Sequence, residues 1–561
     1  MAQFCSYPCS DPEKLANQLG LPPPAPPKRK PPRKIPGFPN SDPDSQTSLD
    51  LDSDNTLYEE WHREFAPKLA LLRSRNSSPL KQSRGLRLNK LSENSDNLLE
   101  PPYKIHNDWP NGLSDKTVDM DIRHSNGYYE YDVHNLFGTL MGYASYAAML
   151  HRRPQERPVV IGRSTFPGAQ RKLSHWLGDN VSSWEQYRGQ IAYMLGFSAI
   201  YQMPFVGSDI CGFLGDVTPR LCARWATLGA FNPFMRNHNE INTNVSQEFY
   251  RWPLVAEAAR KAIDVRYRLL DYFYTALWRQ SRDGTPAMMP VWMGIGKGGV
   301  DNVTLNLEYQ FLYGDGLMVA PVIEEDSTSV SIYFPMGTKQ EPVTWFDSSK
   351  LIKVDMPESS SSESPESIGF WKEFHNINYT DIPLFWKSGN IVPMRTNSAN
   401  TTSELRKQNL EILAIPGDDG FAEGVLYLDD GISLVQHAGA KLVMLYFLQR
   451  TGESSDVLSV RNIEYGGLGP SDEYPNTRGH PDYLNIRLEK VTILGVKKQP
   501  RRVSTHGYGR EVESSIELEA VIEVVKGDQQ RTGWRYDGER KILEIQICMY
   551  VYDEFEILIG F

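Results

Sequence analysis

A chain of 561 residues, 40% of them hydrophobic, can bury ordinary cores in three or four domains at about 150 residues each. Its formal net charge of -11 and pI near 5.6 argue against a general affinity for nucleic acid. No run of about 18 apolar residues occurs, which excludes an apolar membrane span, and residues 1–20 lack a charged start followed by an apolar stretch.

The chain reads in four parts. Residues 1–100 form a Pro-rich, partly disordered insert: Pro22-Pro23-Pro24-Ala25-Pro26-Pro27 leads into Lys28-Arg29-Lys30 and a polar run from Ser41 to Asn55. Such composition buries little apolar surface, and the basic cluster reads as a solvated spacer. From 101 to 325, short apolar runs alternate with helical periodicity, as in β/α units. Strands are expected at Pro158 to Ile161, Met203 to Gly207 and Ala287 to Trp292, with a helix over Trp184 to Phe197. One long helix is expected over roughly 254–280, where Ile263, Tyr267, Leu270, Tyr274 and Leu277 share a face. After 326 the helical signal fades. Ser329 to Phe334, Asn390 to Met394, Val425 to Leu428 and Leu543 to Ile547 read as strands of a proximal β-sandwich over 326–410 and a distal β-domain over 411–561.

The chemistry concentrates in His175-Trp176-Leu177-Gly178-Asp179-Asn180, with Arg163-Ser164-Thr165-Phe166 upstream and Arg236-Asn237-His238-Asn239 downstream. A carboxyl, an aromatic wall, a guanidinium and an imidazole are what a sugar-cleaving pocket needs. Arg163, Asp179 and Asp209 each follow a strand, the position of active residues in β/α folds. A glycosidic oxygen is a poor leaving group and must be protonated as its bond breaks. Trp176 beside Asp179 would help that carboxyl keep its proton by penalising the charged form. Arg163 and His238 can hydrogen-bond sugar hydroxyls. Taken singly, each residue also fits an ordinary role: Asp209 as a helix cap, His238 as a turn cap, Arg163 in a structural ion pair. Five cysteines, Cys5, Cys9, Cys211, Cys222 and Cys548, are too few to imply a disulfide framework. Acceptor patterns for glycans occur at Asn76, Asn180, Asn244, Asn302, Asn378 and Asn400, of which Asn180 is discounted because a glycan there would obstruct Asp179.

Several long motifs in order carry a resemblance. They are Pro101 to Asn107, Glu130-Tyr131-Asp132-Val133-His134-Asn135, the Arg163 and His175 segments, Gly207-Ser208-Asp209-Ile210-Cys211-Gly212-Phe213, Leu221-Cys222-Ala223-Arg224-Trp225, the Arg236 segment and Tyr427-Leu428-Asp429-Asp430-Gly431. Together with Phe4-Cys5 and Pro8-Cys9 they resemble glycoside hydrolase family 31, and within it secreted fungal α/β-glucosidases. The resemblance implies an α/β plus all-β chain: the C-terminal half of a (β/α)8 TIM barrel over 101–325, followed by β-sandwich domains. It implies hydrolysis of terminal non-reducing glucose with retention, without metal or cofactor, at an extracellular location. Asp179 resembles the general acid/base, Arg163, Asp209 and His238 the polar contacts to glucose, and Trp176 and Phe213 the pocket walls. Cys211 and Cys222 occupy positions that the resemblance pairs in a disulfide.

The departures are as informative as the matches. A retaining mechanism takes a second carboxyl about 5 Å from the first as nucleophile. In the family it belongs to an Asp-Met-Asn-Glu motif shortly before the Phe-Cys that stands here at Phe4-Cys5, so the nucleophile is expected to be missing from this chain. Asp119-Met120-Asp121 has no strand-like run before it and is a poor substitute. Phe385-Trp386-Lys387-Ser388 departs from the family's His-Ile-Arg-Gly-like turn and bears on substrate preference. The expectation is an α-glucosidase-like chain, inactive alone, binding glucose-containing oligosaccharide or polysaccharide and prone to associate through half-barrel edges, with no nucleic-acid or membrane partner. The alternatives are a piece of a longer secreted glucosidase, a non-catalytic carbohydrate binder, and an α-xyloside-cleaving enzyme.

Overall fold

The computed structural model describes residues 118–561 except 297–299, 339–340, 356–368, 435–440, 450–454, 465–485, 509–512, 521–531 and 552. The Pro-rich segment 1–100 and the Phe4-Cys5 and Pro101 to Asn107 motifs lie outside the described residues. The chain divides into two units, 2–137 and 138–561. In the first, Glu130–Val133 makes one helical turn and the Glu130 carboxylate lies 2.7 Å from His124 Nε2. Asp119 and Asp121 are exposed beside a turn there.

The second unit begins within helix α1 (Phe137–Arg152). This helix is apolar on most sides, yet Leu140 and Met141 are 60% and 56% exposed. It approaches its neighbours closely at two glycines: a Cβ at Gly138 would sit 2.3 Å from Ser164 O, and one at Gly142 2.5 Å from the Leu173 side chain. Three short parallel strands follow, β1 (Ile161–Gly162), β2 (Ser174–Leu177) and β3 (Val206–Ser208), paired in that order. Parallel neighbours need a crossover. Helix α2 (Trp184–Leu195) provides it between β2 and β3, capped by Ser183, whose hydroxyl accepts from Gln186 N, and buried through Tyr187, Ile191 and Met194 at helical spacing. The apolar run at Pro158 to Ile161 pairs only from Ile161 onward, and Val159 stays 65% exposed at this edge of the sheet.

Helix α3 (Pro219–Gly229) starts where its sequence directs: Thr218 caps it and Pro219 takes the first position, where no N–H is needed. Every residue from Leu221 to Gly229 is buried. One of them is Arg224, 1% exposed, whose guanidinium donates to the carbonyls of Ser327, Ile377, Asn378 and Asp381 and lies 4.5 Å from the Tyr379 ring centroid. It ties the helical region to the β-rich region. The single helix expected over 254–280 is instead two, α4 (Pro253–Arg268) and α5 (Leu270–Asp283). The chain turns at the buried Leu269 while Leu269 N→Val265 O and Phe273 N→Leu269 O persist, so the apolar face survives the interruption. Residues on either side of Leu269 reach the same residue: Arg268 Nε donates to the Arg395 backbone carbonyl, and the Arg395 guanidinium donates twice to the Asp271 carboxylate.

From here the architecture is all β. Strands β4 (Met288–Pro290), β5 (Phe311–Tyr313), β6 (Leu317–Val319), β8 (Trp345–Asp347) and β10 (Leu384–Lys387) make an antiparallel sheet in the order β4-β5-β6-β10-β8. The antiparallel pair β7 (Val330–Pro335) and β9 (Gly369–Phe374) shares its core through Phe334, Trp345, Phe370 and Phe385. At Ser388-Gly389 the chain passes to a second sheet, eleven strands from β11 (Asn390–Arg395) to β21 (Phe555–Gly560). Its terminal strands are β18 (Glu513–Leu518) and β19 (Gly533–Asp537), and a bridge between Ala520 and Trp534 brings its ends together around one apolar interior. No helix among the described residues is long and apolar enough to cross a membrane.

Removing the Arg224 head should leave buried carbonyls without donors. Arg224→Met is expected to lower unfolding free energy by about 3–5 kcal/mol, seen as a lower urea midpoint. A midpoint equal to the parent's would show that the carbonyls at 327 and 377–381 find other partners.

Candidate active site

The polar residues sit at the carboxyl ends of the three parallel strands: Arg163 directly after β1, Trp176 within β2 with Asp179 two residues beyond it, and Asp209 directly after β3. The segment carrying His238 joins the same rim, because Phe234 N donates to Val206 O and Ile210 N donates to Arg236 O. Pairing geometry therefore gathers residues 163, 176, 179, 209 and 238 without any long-range search.

Asp209 is the centre of the cluster. It is fully buried, and its Oδ1 accepts from Trp176 Nε1 at 2.8 Å and lies 2.7 Å from His238 Nε2. Its Oδ2 accepts from the backbone N–H of Asp179 at 3.2 Å. Burial pushes the Asp209 carboxyl above the ordinary carboxylate range, while the Trp176 and His238 hydrogen bonds pull the other way. Asn180 locks the backbone: its Nδ2 donates to Asp209 O at 3.0 Å and its Oδ1 accepts from Asp209 N at 3.1 Å.

Asp179 reaches its place at a backbone cost. Its φ is 61°, the left-handed region that non-glycine residues seldom occupy. Gly178 precedes it because a Cβ there would lie 2.1 Å from Trp176 ring atoms. The Asp179 carboxylate forms an ion pair with Arg163, Oδ2 to Nη2 at 2.6 Å, with the side chains 15% and 23% exposed. Aromatic surface surrounds this pair and the imidazole. The Trp176 ring centroid is 5.6 Å from that of His238, Phe213 is 4.9 Å from His238, and the Arg163 and Arg236 guanidinium carbons lie 5.5 and 4.5 Å from the Trp176 ring centroid.

The loop after β3 is fastened twice. A disulfide joins Cys211 to Cys222 on α3, and the buried Gln247 amide donates to Ile210 O, Gly212 O and His238 O. Asn180, Arg236 and Gln247 are the residues that sequence reasoning left without a role. Arg236 belongs to the quoted motif, but its place above Trp176 depends on pairing with the strand ends. Gln247 carries no local signal at all. Elsewhere, a cavity of about 680 Å³ lined by Trp278, Arg279, Asp315, Lys387, Asp418 and Phe421 lies apart from this cluster. Among the described residues no group of three or more His, Cys, Asp and Glu side chains could hold a metal ion.

A family model for the glycosyl hydrolases family 31 TIM-barrel domain matches residues 97–276, and one for the family's C-terminal domain matches residues 284–392, together more than half of the sequence. The chain belongs to glycosyl hydrolase family 31. Its fold is that family's TIM-barrel domain followed by all-β C-terminal structure. A probable alpha/beta-glucosidase of Neosartorya fischeri is 44% identical over 447 residues, 79% of this chain and 44% of the relative. The corresponding protein of Aspergillus clavatus is 42% identical over 510 residues, 91% of this chain and 49% of the relative. The chain thus spans less than half the length of these curated relatives. The crystal structure of a glucosidase II alpha subunit superposes with a TM-score of 0.65 at 24% identity, over 80% of this chain and 44% of that one. At that identity the likeness concerns the fold alone.

Behind this family 31 site, His175 is 3% exposed, stacks on Phe197 at 4.0 Å and has its Nδ1 2.9 Å from Thr165 Oγ1. Burial lowers its pKa to about 4, so the folded ring stays neutral where an unfolded histidine, near 6.5, binds a proton. The stability it contributes is therefore present above pH 6.5 and lost as pH falls toward 4. Between pH 7 and pH 5 the loss should be about 2 kcal/mol. Urea midpoints across that range should show it, and the same measurement on His175→Gln should show a flatter profile. An unchanged slope would assign the acid sensitivity to other groups.

Proposed function

We propose that the cluster binds the terminal glucose of an α-linked glucoside, with β-glucosides as further substrates, and that Asp179 is the general acid/base. Arg163, Asp209 and His238 hydrogen-bond the hydroxyls, and Trp176 and Phe213 form the walls. The observation that carries this reading is Asp179 itself. A left-handed backbone, a glycine that only the Trp176 ring demands, and a hydrogen bond from its N–H to buried Asp209 all serve to aim one carboxylate into an aromatic-lined rim. The identity to alpha/beta-glucosidases supports the substrate class.

Retention needs two carboxyl groups about 5 Å apart, one giving the proton to the leaving oxygen and one attacking the anomeric carbon. Asp209 cannot attack while three donors hold it beneath the rim. The described residues thus make a half-site of acid, hydroxyl contacts and walls, and the nucleophile comes from polypeptide outside them. The exposed Val159, two residues before β1, supports association at this edge with further β/α units. The Cys211–Cys222 disulfide supports an oxidising, extracellular location.

The 561-residue chain is expected to bind glucose or maltose, followed through tryptophan fluorescence, without releasing p-nitrophenol from p-nitrophenyl α-glucoside. Arg163→Ala should weaken binding about tenfold or more, the size expected for a lost charge-assisted hydrogen bond. Hydrolysis by the purified chain that disappears in Asp179→Asn would keep the acid assignment and overturn the half-site. Absence of sugar binding would overturn the reading as a whole.

A further inference from the structure

An ion pair requires Asp179 as the carboxylate, whereas a general acid requires it as the carboxylic acid. The Arg163 contact at 2.6 Å is therefore a resting arrangement that the chemistry has to undo. A second observation shows the pair to be incomplete. Nε of Arg163 is buried and has no acceptor among the described residues, a group that native structures seldom leave so. The guanidinium also lies 5.5 Å from the Trp176 ring centroid, so an aromatic face supports it independently of Asp179.

We propose that sugar binding opens this pair and couples ligand capture to proton uptake at Asp179. The inference rests on the reading of Asp179 as acid/base. Hydroxyl oxygens of the sugar accept from the Arg163 guanidinium, which turns from the carboxylate toward the ligand and stays protonated. Asp179, no longer facing that charge, takes one proton from solvent: carboxylate plus H⁺ gives the neutral acid, and no other bond changes. The same proton is then in place for the glycosidic oxygen.

The surroundings of Asp179 favour this outcome once Arg163 turns away. Asp209, from the end of β3, sits beneath it and adds negative charge that disfavours a second carboxylate. From the segment after α3, His238 Nε2 and Arg236 Nε lie 2.7 and 3.9 Å from Asp209 Oδ1, so both face Asp209. His175, on β2, is buried against Phe197 and Thr165. Arg163 is the cation in contact with the Asp179 carboxylate.

The test uses maltose, a neutral ligand, so every proton exchanged belongs to the protein. Maltose affinity of the whole chain is measured from pH 4.5 to 7.5, with calorimetry in two buffers of different ionisation enthalpy. The expected result is a Kd that rises about tenfold per pH unit where the free site is ion-paired and the occupied site protonated, with uptake approaching one proton per maltose. Asp179→Asn, a neutral stand-in for the protonated acid, should bind at every pH as the parent does at low pH, without uptake. Arg163→Lys keeps the cation and should keep the coupling; Arg163→Ala should lose it. A flat Kd without proton exchange overturns the coupling while leaving sugar binding intact. A slope that persists in Asp179→Asn overturns it by assigning the proton to Asp209 or His238. Failure to bind maltose at any pH overturns the functional reading and this inference with it.

Discussion

A carboxylate removed from water must be compensated, and the active-site end of this molecule is arranged around one such group. Asp209 is fully buried, so each of its oxygens needs donors from the protein. Trp176, His238 and the Asp179 backbone supply them from β2, the loop that follows it, and the segment beyond α3. Each donor is thereby fixed by a bond whose loss would leave a buried charge exposed to an apolar wall. The wall, the imidazole and the acid are positioned by one interaction, and the pocket is organised before any sugar arrives.

Sequence reading caught what local chemistry decides. The apolar runs from Pro158 to Ile161 and from Met203 to Gly207 lead into paired strands, and the helical spacing of Trp184 to Phe197 is helix α2, whereas α3 with its Thr218 cap was not read from the sequence. The order of β/α units followed by β-domains was read from the switch in periodicity, and the TIM barrel from the resemblance to family 31. What escaped is what tertiary contacts decide. The apolar face from Ile263 to Leu277 is continuous across Leu269, so spacing alone predicts one helix, and the turn there shows only through the Arg268–Arg395–Asp271 contacts to β11. The eleven-stranded sheet was equally out of reach, since its strand order joins segments more than a hundred residues apart.

The site divides in the same way. Arg163, Trp176, Asp179, Asp209 and His238 are legible because their chemistry is distinctive and their motifs follow strands. Asn180 was noted only as a glycan-acceptor pattern to be discounted, yet its amide holds Asp209 at both backbone atoms. Gln247 is a plain glutamine in a polar run, and only folding directs its amide to three carbonyls of two loops. The ion pair of Asp179 with Arg163 runs against the expectation that Trp176 alone would keep the acid protonated. Sequence shows that an aromatic residue is near; it does not show that a guanidinium is nearer.

Among the described residues β1 is the outer strand of the parallel sheet, and the proposed half-site needs its second carboxyl on that side. Arg163 follows β1, and the carboxyl ends of this sheet carry Arg163, Asp179 and Asp209. A further parallel strand on that edge would lie about 4.8 Å away and end beside Arg163. Its first residue past the sheet would face the rim from the side opposite Asp209. That is where an attacking carboxylate has to stand if Asp179 protonates the leaving oxygen from the other side of the bond. Val159, 65% exposed two residues before β1, adds apolar surface at the same edge. On the proposed half-site, completing the sheet would cover that surface and bring the reacting group to the same edge, tying stability to catalysis.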